Sequence, residues 1–331
     1  MTRNLYVPLE IVLQILEASI PPGQPNRIID VATPEVQQLV IWTRVCRATY
    51  EPATRFLRQH CVHLDSATRL KIFLKCLKEE KAESTLPKTI SFSEVSSIYL
   101  GLALEEIQSI RAAALIRDVL IQLGGSVRRL IVDLPYRRIA MQHSIDGEID
   151  HAFSWGLKAL TNLEEYVTLG GLPSMEFWRS ELNISQIWPK LRKVAGFSIN
   201  LSDEALWYNV AMHRNIEHVV ITRPYLLRLQ KWNIKQSIGS LLWNSESGGD
   251  STYARPLKIA IVNHEFSAPI IDTQDEHIHD SSGLLDVCSV ELPMHAKRVD
   301  YVCREWLIKS AKEDTLWGHC STTVPEAWRQ T

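Results

Sequence analysis

The sequence predicts an α/β fold with parallel strands, preceded by a helical segment. Three observations carry that prediction. Short apolar runs recur after residue 126: "VRRLIVDL" (127–134), "LTNLEEYVTL" (160–169), "WPKLRKVAGF" (188–197), "NIEHVVI" (215–221) and "PLKIAIV" (256–262). Stretches of helical spacing separate them, and strands alternating with helices imply parallel strands joined by crossovers. Before residue 85 the periodicity is helical.

Bulk composition permits a substantial core. The chain has 331 residues, of which 45% are hydrophobic and 22% charged, enough for one large domain or two modest ones. A net charge of −2 gives no electrostatic footprint for nucleic acid and no polybasic membrane patch. No run of about 18 consecutive apolar residues exists, so no membrane span is expected. Glu10 and Glu17 interrupt the N-terminal apolar pattern that a signal peptide needs. Six cysteines are scattered without CxxC spacing, which fits an intracellular protein with reduced thiols.

The first helix is expected from Pro8 to about Ile20. Proline suits a first helical turn, and "IPPGQP" stops the helix. At about 100° per residue, Leu9, Leu13, Leu16 and Ile20 form one stripe, and Ile11, Val12 and Ile15 widen it to an arc of about 200°. A stripe facing one core needs only about 100°, so this helix has apolar surface to spare. A helical hairpin should follow. Thr33 is its candidate cap and Pro34 its first helical residue; apolar residues continue from Val36 to Tyr50, with a break or restart at Glu51-Pro52.

The pair "VPLEIVLQIL" and "TRVCRATYEPATRFL" resembles an F-box, with Val7 where Leu is usual and Tyr50 where Trp is usual. The resemblance implies a three-helix motif over residues 1–62 that docks on the Skp-type linker of SCF ubiquitin ligases. The family's contacts would map onto Pro8, Leu9, Ile11, Ile15, Leu16, Val45, Cys46 and Tyr50. Residues 63–85 would form a linking helix, with Leu70, Phe73, Leu74 and Leu77 on one stripe and a solvated lysine face.

Residues 86–331 form the second region. The anchors Leu130, Leu163, Leu191, Ile216 and Leu257 stand 33, 28, 25 and 41 residues apart. Helices are expected over 106–123, 149–160, 201–213 (with Ser202 as cap) and 296–311. The last should act as a closing cap, with a strand-like "LLDVCSVEL" before it. The spacing suggests units stacked on their neighbours. It resembles a degenerate leucine-rich-repeat array, with units longer than regular repeats and without their recurring Asn or Cys. A single closed α/β domain is the alternative. Segment order along the whole chain resembles a group of fungal F-box-like proteins of similar length.

Chemistry is sparse. The sequence contains no phosphate loop and no GxSxG elbow. "DEHIHD" (275–280) is the best metal candidate, and it reads more simply as a polar loop, so no metal or cofactor is expected. Trp155, Trp207 and Trp306 are expected in the core, and Trp178, Trp188, Trp243 and Trp317 nearer the surface. Tyr136, Arg137 and Arg138 follow a strand end and are candidate target contacts. The expected function is that of a non-enzymatic adaptor, with a Skp-type linker and an unidentified protein target as partners. The alternative is an interaction scaffold whose F-box-like helices only cap the array and bury Ile11 and Ile15.

Overall fold

The computed structural model describes residues 7–20, 27–82, 95–135, 148–170, 184–225, 238, 255–264, 285–292 and 298–321. Three helices come first: α1 (Leu9–Ala18), α2 (Pro34–Trp42) and α3 (Arg47–His60). Strands and helices then alternate through β1 (His63–Leu64), α4 (Ala67–Ala82), β2 (Ser97–Gly101), α5 (Leu104–Ile107), α6 (Ile110–Leu123), β3 (Arg129–Asp133) and α7 (Glu148–Lys158). They continue with β4 (Glu165–Thr168), α8 (Ile184–Ile187), β5 (Lys193–Phe197), α9 (Glu204–Met212) and β6 (His218–Thr222). The last elements are β7 (Leu257–His264), β8 (Leu285–Leu292), α10 (Val299–Lys312) and a 3-10 turn at Leu316–Ser321.

The fold is α/β. All eight strands lie in one sheet in chain order, and each adjacent pair is parallel. The order never reverses, so the chain winds in one direction and its crossover helices fall on one face. Alternating side chains then sort into two layers. The row Ile98, Leu130, Tyr166, Val194, Val219 and Ile259 packs with α4 to α9. The neighbouring row Tyr99, Ile131, Val167, Ala195, Val220 and Ala260 packs with α10. The five anchors predicted from the spacing are all fully buried.

Strand starts repeat one device. The Ser96 carbonyl accepts the N–H groups of Arg128 and Arg129, the Arg128 carbonyl those of Glu164 and Glu165, and the Glu164 carbonyl those of Arg192 and Lys193. Charges alternate across the same positions. Arg129 Nε lies 3.1 Å from the Glu165 carboxylate, Glu165 pairs with Lys193 at 2.7 Å, and Arg192 with Glu217 at 2.8 Å. Opposite charges facing each other across strands favour this register over a slipped one. Units are also tied turn to turn: Asn162 donates to the Gly125 carbonyl at 2.7 Å, and Asn215 to that of Pro189 at 2.6 Å. A recurring Asn is therefore present in two units, before the strand.

Several expectations need correction. β1 and β2 were not foreseen, because two residues and one short apolar run carry too little pattern. The helix expected over 106–123 is split, with Ser109 accepting from Arg111 N–H to start α6. Asp203, not Ser202, caps α9, accepting from Ala205 N–H. The hairpin breaks at 43–46, and Pro52 lies inside α3. Gly124 is right-handed at φ −52°; it is needed because a Cβ there would sit 2.4 Å from the Ala159 carbonyl oxygen. Trp155 is 58% exposed, since two residues from Phe153 is about 200° around a helix. Trp188 is fully buried, its indole N–H donating to the Leu157 carbonyl at 2.9 Å. The next unit stacks over that element end. Trp207 and Trp306 are buried and Trp317 half-buried; Trp178 and Trp243 lie outside the described residues.

The largest correction concerns α10. It is not an end cap. Asp300 in its first turn pairs with Arg223 after β6 at 2.9 Å, Arg304 reaches Asp133 on β3, and Lys312 Nζ lies 3.1 Å from His63 Nε2 on β1. The helix therefore crosses the sheet obliquely. Its 14 residues span about 21 Å, close to the roughly 24 Å between β1 and β6, and long Arg and Lys side chains bridge the remainder. Val302, Cys303, Trp306, Leu307 and Ala311 are buried against the second face. That apolar face needs a cover, and α10 supplies it.

Candidate functional site

α1 to α3 build a small core of their own. Leu16 of α1, Leu39 of α2 and Ala53 of α3 are buried together, with Ile20, Trp42, Phe56 and Leu57 packed around them. A second cluster joins Ile29, Val36 and Cys61. Leu16 is 1% exposed. It holds the motif together and is therefore withdrawn from the candidate docking face.

The other side of α1 has no partner among the described residues. Ile11 and Ile15 are 44% and 46% exposed, one turn apart and about 100–140° around the helix from Leu16. Pro8 and Leu9 are exposed at the helix start, where the Pro8 carbonyl accepts from Ile11 and Val12 N–H groups. Val45, Cys46 and Tyr50 are exposed around the α2–α3 turn. Fourteen large apolar side chains are exposed among the described residues, and eight of them fall within the first 50 residues. That concentration marks an interaction surface better than scattered single residues do.

Thr49 fixes the turn that presents Val45 and Cys46. It is fully buried, its hydroxyl 2.8 Å from the Trp42 carbonyl oxygen and accepting from the Cys46 N–H at 3.2 Å. Hydrogen bonds from the Thr49 hydroxyl and backbone N–H hold the Cys46 thiol below its ordinary range. Along α2 a shallow cavity of about 480 Å³ is bounded by Pro34, Gln37, Gln38, Ile41, Trp42 and Val45. Ile41, 63% exposed, and Val40, 38% exposed, are apolar residues of α2 that the resemblance does not name. The signal was present in "LVIW" (39–42), because four consecutive apolar residues on a helix cannot all face one core.

The motif is pinned to the body. Ile28 N–H donates to the Lys312 carbonyl at 2.8 Å, while within the motif Ile29 N–H donates to that of His60 at 2.7 Å. Ile28 is buried in the core beneath α10. At the same junction His63 is buried between Asp30 at 3.8 Å and Asp65 at 3.7 Å, and stacks on Tyr99. Burial and the Lys312 ammonium hold His63 below its ordinary pKa.

Tyr136, Arg137 and Arg138, and the 275–280 segment, lie outside the described residues. The five described cysteines are free thiols. No described helix is long and apolar enough to cross a membrane. No protein-family model matches this chain, and no curated protein matches it.

Proposed function

We propose that the chain is a substrate-recognition adaptor of an SCF-type ubiquitin ligase. α1 to α3 act as an F-box, docking on a Skp-type linker through Pro8, Leu9, Ile11, Ile15, Val45, Cys46 and Tyr50, with Ile41 added. The body acts as a leucine-rich-repeat-like array and holds a protein target. The observation that carries the reading is the exposure of Ile11 and Ile15. Helices serving only as a cap would turn both inward. Parallel strands in chain order, with crossover helices on one face, support the second half of the reading. The adaptor's contribution to transfer is proximity and orientation, with the chemistry left to other subunits.

A scaffold reading has one observation of its own, the burial of Ile28 beneath α10, which ties the helices to the body. Coexpression of the full chain with a Skp-type linker, followed by size-exclusion chromatography, separates the two. A one-to-one complex is expected, and Ile15→Asp with Ile41→Asp should abolish it while helical content stays intact. Absence of a complex with the unmutated chain, or a complex that survives both charges, would support the scaffold.

A further inference from the structure

α10 closes the second face of the sheet, so a target cannot lie there. The carboxyl-end rim of the strands remains. The described residues there enclose a cavity of about 640 Å³, within the roughly 300–1,000 Å³ of typical binding pockets. Its apolar lining is Leu104, Pro135 and Phe197, all half-buried, over the buried Leu102, Leu134 and Leu169.

One wall is a polar triad drawn from three elements. Asp133, ending β3, accepts from the Tyr99 hydroxyl at 2.9 Å and from the Arg304 guanidinium of α10 at 2.5 and 2.6 Å. Asp133 and Arg304 thus neutralise each other. Glu105 of α5 also lines the cavity, is exposed, and has no partner among the described residues. The described lining carries one unbalanced negative charge beside an apolar floor. Ser198 stands at the same lip with φ +56°, a backbone conformation that non-glycine residues seldom adopt.

The geometry points to this cavity as the seat of a basic side chain, lysine or arginine, presented by the target polypeptide. Such side chains pair an apolar stem with a charged head. The stem lies on Leu104 and Pro135, the head meets Glu105, and the Phe197 ring offers an aromatic face to the cation. A carboxylate or phosphate would instead meet two carboxylates and an arginine already engaged. The assignment rests on the target-holding reading above and is independent of the linker.

The test uses the full chain without linker and three pools of fluorescein-labelled, end-capped hexapeptides. Flanking positions are mixtures of Ala, Leu, Ser and Gly, and the centre is fixed as Lys, norleucine or Glu. Fluorescence anisotropy should give at least fivefold tighter binding of the Lys pool than of either other pool. Glu105→Gln should remove that preference while binding of the norleucine pool stays unchanged. Equal binding of all pools, or a Lys preference that survives Glu105→Gln, overturns the assignment. Glu105→Gln should leave linker binding at wild-type strength, so the two proposals fail separately.

Discussion

Neighbouring side chains on α1 have opposite jobs, and stability measurements can tell them apart. Leu16 is sealed between Leu39 and Ala53, so Leu16→Ala should cost about 2–5 kcal/mol in a urea melt. Ile11→Ala and Ile15→Ala remove exposed surface and should each change stability by no more than about 0.5 kcal/mol. Equal losses at positions 15 and 16 would contradict the exposed face. Thr49→Val leaves the Cys46 N–H without its side-chain partner and the Trp42 carbonyl with only the Val45 N–H at 3.4 Å, a loss of about 1–3 kcal/mol. It should also move alkylation of Cys46 to higher pH, since the Thr49 hydroxyl is the main cause of the lowered thiol pKa. At this scale the sequence exposed the excess of apolar surface on α1. It could not show that Leu16 belongs to the inner side, because an arc of about 200° has no marked boundary until a neighbour packs against it.

Among the elements, α10 determines which surfaces remain open. Its helical periodicity was legible, and Trp306 is buried as expected. Its position was not legible, because a stripe says that a face is covered and not what covers it. The partners that place it, Asp133, Arg129 and His63, lie far back in the chain. Trp306→Ala should cost about 3–5 kcal/mol. Arg129, 2% exposed, is paired with Glu165 and Asp314 and donates to the Ala311 carbonyl. Arg129→Ala should cost about 3 kcal/mol, the low end for a broken buried pair, because it removes the cation shared by Glu165 and Asp314 while Glu165 keeps Lys193. A Trp306→Ala chain as stable as the wild type would mean that α10 is a detachable strap and not a layer of the core.

For the whole molecule, strand–helix alternation predicted parallel strands, and the repeated anchors located five of the eight. β1 and β2 escaped because their burial is set by the next unit and not by local pattern. Stability should depend on pH through buried histidines. Burial holds His60, His63 and His213 below their ordinary value of 6.5. Between the folded and unfolded pKa values the unfolded chain binds more protons, so stability rises with pH there. The contribution is complete above about 6.5 and is lost as pH falls below it. Urea midpoints should therefore be lower at pH 5.5 than at pH 7.5, and a midpoint unchanged across that window would contradict the burial.

The most direct measurement is calorimetric titration of the full chain with a Skp-type linker, alongside the double variant Ile11→Ala with Ile15→Ala. An adaptor predicts micromolar or tighter binding by the wild type. The double variant, equally stable in urea, should bind at least thirtyfold more weakly, equivalent to about 2 kcal/mol lost from two interface anchors. No binding by the folded wild type, or undiminished binding by the variant, would contradict the adaptor function.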